Sequence, residues 1–335
     1  MSEKHSNISI FVPHIGCPNK CSFCNQRYIT GTCKAPNADD VEKAVITAVK
    51  SKKYNAQNTE IAFFGGSFTA INRTYMLSLL EAASSFVKIG LVKGIRISTR
   101  PDAIDDEILM LLKEYNVTAI ELGAQSFNNY VLKMNNRGHT AKDIENAAML
   151  IRKHGFELGL QIMTGLYCDD NESLERTAKK IIEIKPDTVR IYPTVVLKNT
   201  YLGYLQEKGE YIAPTAEESA PFCARLLQLF EKEGIKVIKL GLHSSETVEG
   251  DMMGGAYHPA FRELCDGHIY LAKTLEKISD KDKNQQYVIY VNKKVLSKAK
   301  GQQKRNEKAL KNKGFHCIIK GKENLEEFDI EVEVL

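Results

Sequence analysis

The segment Ile8-Ser9-Ile10-Phe11-Val12 predicts a β-strand, and it leads into a loop with three cysteines, Cys17-Pro18-Asn19-Lys20-Cys21-Ser22-Phe23-Cys24. Thiolates are soft ligands that favour iron–sulfur clusters, zinc or copper(I). Because the three cysteines lie on one short loop, separated by three and two residues, they can converge on a single metal centre. The stretch therefore predicts a metal site directly after the first strand.

The identity of the metal depends on the number of ligands. A structural zinc site needs four, and His14 or Cys33 would have to supply the fourth, although neither completes a familiar zinc pattern. Three cysteines on a four-iron cluster instead leave one iron open to a small molecule. The remaining cysteines are scattered, which argues against a secreted disulfide scaffold and for a reducing, cytoplasmic location.

Strand-like and helix-like segments alternate through the following part of the chain. Strands are predicted at 58–64, 94–100, 119–125, 158–163, 188–196 and 235–240, with helices between them. This alternation predicts an α/β fold with a parallel sheet, and about six such units predict a partial or complete (β/α) barrel. The chemistry of such barrels lies at the carboxyl ends of the strands, where the cysteine loop is expected.

The domain boundaries are predicted from where the alternation stops. The barrel is expected to span residues 1–245, followed by a connecting segment with a short helix at 246–278 and a small basic α+β domain at 279–335.

The net charge of the 335-residue chain is only +4, but it is unevenly distributed. Residues 276–323 carry a net +9, so the remaining residues carry −5. A composition of 43% hydrophobic and 26% charged residues is typical of globular proteins and excludes a disordered chain, and no apolar run is long enough to cross a membrane. The basic segment indicates a polyanionic partner such as nucleic acid, or otherwise a solvated lysine-rich surface.

The basic segment also has a recognisable order of predicted elements. A strand at 286–291, two helices around Gly301-Gln302-Gln303-Lys304 and a strand at 315–319 resemble a KH domain, whose GXXG loop clamps a nucleic-acid backbone. Lys304 stands where the second glycine belongs. The alternative is a small docking domain with a basic surface. The residues expected to contact RNA are Lys298, Lys300, Gly301, Lys304, Arg305 and Lys308.

The cysteine spacing, with Phe23 before the third cysteine, resembles the radical S-adenosylmethionine (SAM) enzymes. That resemblance implies a [4Fe-4S] cluster on Cys17, Cys21 and Cys24, whose open iron chelates SAM. It further implies a 5′-deoxyadenosyl radical and a flavodoxin- or ferredoxin-type reductant as a partner.

The same resemblance implies where SAM binds. Gly65-Gly66-Ser67 resembles the family's glycine motif, with Ser67 where glutamate is commonest, so a backbone role is expected. Arg137 is expected to pair with the SAM carboxylate. Each polar candidate has the alternative of a satisfied structural residue. The implied SAM-binding residues are Phe23, Gly65, Gly66, Ser67, Ser98, Gln125, Arg137, Gly165 and Ile191.

Further motifs over residues 8–270 resemble the catalytic subunit of Elongator, which modifies the wobble uridine of tRNA. They are Thr99-Arg100-Pro101-Asp102, Glu121-Leu122-Gly123-Ala124-Gln125-Ser126, Asn135-Asn136-Arg137-Gly138-His139-Thr140, Ile191-Tyr192-Pro193-Thr194 and Gly254-Gly255-Ala256-Tyr257-His258-Pro259. The roughly 65 residues after position 270 are too few for that enzyme's acetyltransferase domain, so its acetyl-CoA chemistry is not expected here. Candidate residues near the substrate are Tyr192, Tyr257 and His258.

These observations lead to one hypothesis and two alternatives. The hypothesis is a radical SAM enzyme that modifies RNA, with tRNA as the expected substrate. One alternative is a radical SAM enzyme on a small molecule, similar to the oxygen-independent coproporphyrinogen oxidases. The other is a zinc-containing RNA-binding protein without catalytic activity.

Overall fold

A computed structural model describes residues 5–12, 17, 20–25, 35–242 and 246–335. The elements are, in chain order, β1 (Ser6–Val12), α1 (Ala38–Val49), β2 (Thr59–Gly65), α2 (Arg73–Lys88), β3 (Gly94–Thr99), α3 (Asp106–Glu114), β4 (Val117–Gln125), α4 (Asn129–Met134), α5 (Ala141–Lys153), β5 (Glu157–Thr164), α6 (Asn171–Ile184), β6 (Thr188–Pro193), β7 (Val195–Leu197), α7 (Tyr201–Glu207), α8 (Ala216–Lys232), β8 (Lys236–Leu240), α9 (Glu246–Asp251), β9 (Met252–Gly255), α10 (Phe261–Ile278), β10 (Gln286–Asn292), α11 (Leu296–Lys300), α12 (Arg305–Asn312), β11 (His316–Lys322) and β12 (Ile330–Val334).

The main sheet has seven parallel strands in the order β1-β2-β3-β4-β5-β6-β8. Neighbouring strands follow one another along the chain and are joined through helices, as in a (β/α) barrel, except that β7, which belongs to another sheet, lies between β6 and β8. Among the described residues no pairing closes β1 onto β8. The predicted α/β fold is confirmed, in the form of a partial barrel.

The two faces of this sheet differ in chemistry. One face carries apolar side chains that are fully buried against the helices, such as Ile61, Ile95 and Ile97. The opposite face lines the inside of the partial barrel. It carries charged side chains, such as Glu60 and Arg96, which alternate in sequence with the apolar ones. Strict alternation along each strand produces this separation.

The charged residues inside the barrel form a ladder of ion pairs across five strands. Arg96 Nε donates to Glu60 Oε2 at 2.9 Å, and its Nη2 donates to Glu157 Oε1 at 2.8 Å. Arg190 Nε donates to Glu121 Oε2 at 2.6 Å. Charges this deeply buried are tolerated only when they are paired. The ladder fills the inside of the barrel and leaves the carboxyl ends of the strands available for the site.

The predicted strand at 188–196 is wrong, because it merges two strands. β6 ends at Pro193, and Thr194 N donates to Thr164 O at 2.9 Å. β7 then pairs antiparallel with β9 in a separate two-stranded sheet. Pro193 stands at the break and was a sign against one continuous strand that the prediction passed over. Helix α7 and strand β9 were not predicted.

The C-terminal module, residues 279–335, has a three-stranded sheet in the order β11-β10-β12. β10 is parallel to β11 and antiparallel to β12. Helices α11 and α12 lie between β10 and β11 in the chain, so the predicted strand–helix–loop–helix–strand order is confirmed. β12 was not predicted. The module's own core includes Tyr287, Ile289 and Leu310.

The helix predicted to be short in the connecting segment is in fact the longest in the described chain, α10, with 18 residues. Its first half, through Leu264 and Ile269, belongs to the barrel core. Its second half, through Tyr270 and Ile278, belongs to the core of the C-terminal module. One continuous helix thus holds the two parts together. No helix in the described part of the chain has the length and apolar character needed to cross a membrane.

Candidate cofactor and active site

The cysteine loop is held in place by one buried asparagine. Ser22 N donates to Asn135 O at 3.1 Å, and Ser22 Oγ donates to Asn135 Oδ1 at 2.7 Å, with both residues fully buried. Asn135 Nδ2 in turn donates to Val131 O at 2.8 Å and to Tyr167 O at 2.9 Å. A fully satisfied amide in a desolvated position fixes its neighbours firmly. Asn135 therefore ties the loop to α4 and to the segment after β5.

Two further contacts hold the loop from opposite sides. Asn136 Nδ2 donates to Lys20 O at 3.1 Å, and Leu202 N, in the first turn of α7, donates to Ser22 O at 2.9 Å. The loop between the first and third cysteines therefore rests on the turn after α4 and on α7.

Two arginines lie beside the thiols of this loop. Arg137 Nη1 donates to Cys21 Sγ at 3.0 Å, and Arg100 forms a side-chain hydrogen bond with Cys17. Burial raises the pKa of Cys17, as does the neighbouring Cys21, whereas Arg100 and Arg137 oppose the shift. Positive charge beside thiols favours thiolates, and soft thiolates suit an iron–sulfur cluster.

The donor set therefore fits the predicted cluster, although the described side chains do not yet converge on a metal. Within residues 5–12, 17, 20–25, 35–242 and 246–335, no three His, Cys, Asp or Glu side chains are grouped closely enough to hold a metal ion. The alternative zinc ligands His14 and Cys33 lie outside the described residues.

Arg137, predicted to pair with the SAM carboxylate, contacts the cysteine loop in this structure. It is 6% exposed, its Nη2 donates to Gly123 O at 2.6 Å, and its Cζ lies 5.9 Å from the centre of the Phe23 ring. With Nη1 on Cys21, the planar end of the guanidinium is already engaged by the protein. The geometry thus makes Arg137 a partner of the cysteine loop rather than a free clamp for a carboxylate.

The glycine motif after β2 brings backbone close to β1. Gly65 has φ +111°, and a Cβ there would lie 2.7 Å from Val12 O, so only glycine fits. Gly66 N donates to the same Val12 O at 2.9 Å. Ser67 is fully buried, with its Oγ 2.8 Å from Thr99 Oγ1. The side chain of Ser67 therefore points into the fold, and the motif offers its backbone.

Three buried polar atoms near the end of β4 have no hydrogen-bond partner among the residues that the structure describes. They are Gln125 Oε1, Arg137 Nε and His139 Nδ1. Gln125 has φ +66° and is 3% exposed, while His139 Nε2 lies 3.3 Å from Ala124 O. Unpaired buried polar atoms are rare and usually mark a ligand or a water. Gln125 and Arg137 were predicted here, whereas His139 was missed and appeared only as part of a motif.

The remaining candidate SAM-binding residues, Ser98, Gly165 and Ile191, lie in different surroundings. Ser98 is partly buried on the inner face of β3. Gly165 has φ +73°, and its carbonyl accepts a hydrogen bond from Tyr211. Ile191 is fully buried in the core between sheet and helices, so only its backbone can face the inside of the barrel, and its role in SAM binding stays a prediction. Alternation along β6 turns Arg190 and Tyr192 inward instead.

The three substrate candidates lie in different surroundings. Tyr192 packs against the same apolar cluster as Phe23, and burial raises its pKa. Tyr257 Oη donates to Glu249 Oε1 at 2.6 Å. His258 Nδ1 accepts a hydrogen bond from Ala260 N at 3.1 Å, just before α10. Tyr192 is thus associated with the cysteine loop, whereas Tyr257 packs against the apolar cluster of Val195, Leu197 and Val248.

The loop between α11 and α12 has an unusual backbone. Gly301, Gln303 and Lys304 all have positive φ, at +69°, +51° and +58°. Lys304 and Lys308 are exposed. Lys304 therefore adopts the left-handed conformation that glycine favours, at the position where the KH pattern expects a glycine.

Other basic residues of the module are engaged by acidic ones. Lys298 Nζ lies 2.8 Å from Asp266 Oδ2 on α10, and Arg305 pairs with Glu217 on α8. Lys300 is partly buried. The five acidic residues after position 323 lie on or just before β12, on the opposite sheet edge from β11. Lys322 on β11 nevertheless pairs with Glu331 on β12, so these acidic residues offset part of the positive charge of the module.

Comparison with known proteins gives two family matches. The model of the radical SAM superfamily matches residues 11–181, and that of the radical SAM C-terminal domain matches residues 186–270.

Individual relatives and structures agree with these matches. An uncharacterized protein of Methanocaldococcus jannaschii, MJ0486, is 30% identical over 206 residues, which is 60% of this chain and 60% of that protein. The tRNA uridine(34) acetyltransferase of the same organism is 35% identical over 127 residues, which is 37% of this chain and 23% of that enzyme. The structure of Elp3 from Methanocaldococcus infernus, with an N-terminal deletion, has a TM-score of 0.64 at 20% identity. It covers 84% of this chain and 65% of that one.

Proposed function

The chain belongs to the radical SAM superfamily, and from that premise we propose that it modifies a base of RNA, with tRNA as the substrate. Enzymes of this superfamily use a [4Fe-4S] cluster and SAM, and these are the cofactors of this chain. The chain matches 60% of the length of one curated relative described above and 23% of the other, so their whole activities are not transferred to it.

The residues that would hold the cofactors follow from the site. Cys17, Cys21 and Cys24 would hold the cluster, which when bound supplies the electron that cleaves SAM. Burial raises the pKa of Cys17, and the positive charges of Arg100 and Arg137 oppose that shift. The backbone at Gly65 and Gly66 would approach SAM, and the unpaired atoms of Gln125 and His139 would receive its polar groups.

The RNA substrate is supported chiefly by the C-terminal module. Its basic face carries the exposed Lys304 and Lys308 on and beside a loop in the left-handed conformation. The helix α10 contributes to both the barrel core and the core of this module, so an RNA bound to the module is connected to the barrel through one continuous helix. A relative named as a tRNA-modifying enzyme supports the same substrate class. A flavodoxin- or ferredoxin-type reductant and a cytoplasmic location belong to the same proposal.

The proposal is tested by charge reversal at the loop. The double variant Lys304→Glu and Lys308→Glu should bind bulk tRNA more weakly. The slope of log K against log salt concentration should also fall by about 1 to 2, because each lysine at a phosphate releases about one counterion. A filter-binding titration at several salt concentrations measures both effects.

The matched control reverses the charge of two exposed lysines that follow α1 and are far from the C-terminal module in sequence. Its substitutions are Lys52→Glu and Lys53→Glu. This control changes the net charge by the same amount. Equal losses in both double variants would mean that the module has no dedicated RNA surface. Cleavage of SAM without any tRNA binding would favour the small-molecule alternative.

A further inference from the structure

We propose that Tyr201 and Tyr204 of α7 form a stacking platform that receives an unpaired base of the RNA substrate beside the cysteine loop. The two rings are 54% and 50% exposed. This inference rests on the proposed action on RNA, and it adds a binding surface on the barrel itself, separate from the C-terminal module.

The platform is rigid because α7 is fixed on its inner side. Leu202 and Leu205 are fully buried, and Gln206 Nε2 donates to Met253 O at 2.9 Å. A Cβ on Gly203 would lie 2.8 Å from Leu197 O, so the helix backbone lies directly on β7. A helix held this way presents its outer side chains without further ordering, which lowers the entropic cost of binding.

The platform also lies next to the candidate active site. Leu202 N donates to Ser22 O, between the second and third cysteines. Phe23 of the cysteine loop packs against the apolar cluster that contains Leu202 and Leu205. Tyr201, which precedes Leu202 in the sequence, therefore lies next to the cysteine loop. A base that reacts at this site passes close to Tyr201.

The chemistry of the two side chains favours a nucleobase over other occupants. The ring centres are 6.1 Å apart and the ring planes differ by only 17°, so both rings offer nearly parallel faces. Lys208 Nζ lies 5.8 Å from the centre of the Tyr204 ring and adds a positive charge at the end of the helix. Exposed aromatic faces next to a cation are the means by which proteins hold unstacked bases and their phosphates.

The test uses the full chain and two RNA probes, bulk tRNA and a single-stranded oligoribonucleotide that contains 2-aminopurine. Stacking on tyrosine quenches 2-aminopurine fluorescence. Wild type and the Tyr201→Phe and Tyr204→Phe double variant should quench it, since phenylalanine keeps the aromatic face. The Tyr201→Ala and Tyr204→Ala double variant should lose the quenching and bind tRNA about 5- to 100-fold more weakly.

The controls separate this platform from the proposed function. Met149→Ala removes an equally exposed apolar side chain from α5 and should change neither probe's binding. Met149→Ala should also leave the RNA-independent formation of 5′-deoxyadenosine unchanged. If wild type binds tRNA and the double alanine variant binds and quenches equally well, the platform is overturned and the RNA function stands. If wild type binds no RNA at all, both proposals are overturned.

Discussion

At the scale of single residues, the site depends on buried amide and imidazole groups as much as on the cysteines. The three cysteines could be predicted from their spacing. The support of Asn135 could not, since its partners Ser22 and Tyr167 are distant in sequence. The only sequence signal was its place in the motif that begins at Asn135.

Replacing Asn135 with alanine should loosen the cysteine loop. The change leaves the fully buried Ser22 hydroxyl without this partner, which costs about 1 to 3 kcal/mol, and it also removes the bond to the partly buried Tyr167 carbonyl. Iron and acid-labile sulfide per chain should therefore fall after anaerobic reconstitution. Asn136→Gly is the control, because it removes only an exposed contact to Lys20 and keeps the positive φ of that position. Equal iron content in both variants would contradict the role of Asn135.

His139 should make the stability of the apo protein depend on pH. Burial, together with Arg137, lowers the pKa of His139 from 6.5 to about 4. As the pH falls, His139 in the unfolded chain therefore binds its proton at a higher pH than His139 in the folded chain does. The free energy of unfolding should fall by up to about 3 kcal/mol as the pH drops from 6.5 to about 4. Urea unfolding of wild type and His139→Gln across this range measures it, and a parallel pH dependence in both would rule out this residue as the cause.

At the scale of elements, periodicity predicted the strands that alternate with helices but not those that depend on tertiary pairing. β2 to β5 were found within a few residues because each is a buried run bounded by turn signals. The break between β6 and β7 was missed, since it is fixed by the pairing of β7 with β9. The length of α10 was underestimated because its two halves bury their apolar side chains in two different cores, one in the barrel and one in the C-terminal module.

Asp266 on α10 should be important for the attachment of the C-terminal module. It is fully buried and pairs with Arg262 Nε at 2.9 Å and with Lys298 Nζ at 2.8 Å. Asp266→Asn removes the charge from both pairs. The partners are partly exposed and can be solvated, so we expect a loss of about 1 to 3 kcal/mol. Urea unfolding measures it.

The control for this prediction is Glu263→Gln, an exposed residue on the same helix. It should change the unfolding free energy by less than about 0.5 kcal/mol. A loss in Glu263→Gln as large as in Asp266→Asn would mean that general helix charge, rather than the buried pair, stabilises the attachment.

At the scale of the whole molecule, the sequence was sufficient for the class of fold and for the position of the site at the carboxyl ends of the strands. It was not sufficient for the surroundings of individual side chains. Arg137 was assigned to a cofactor, and the structure places it against Cys21 and Gly123. Lys298 was assigned to RNA, and the structure pairs it with Asp266. The partners of these side chains depend on which elements pack together in the fold, and a local sequence pattern does not contain that information.

The measurement that tests the account most directly is anaerobic incubation of the reconstituted protein with SAM, a reductant and bulk tRNA, followed by mass spectrometry of the nucleosides. We predict cleavage of SAM together with a nucleoside of altered mass, and neither change in a variant with Cys17, Cys21 and Cys24 replaced by serine. Cleavage of SAM with every tRNA nucleoside unchanged would contradict the proposed action on RNA.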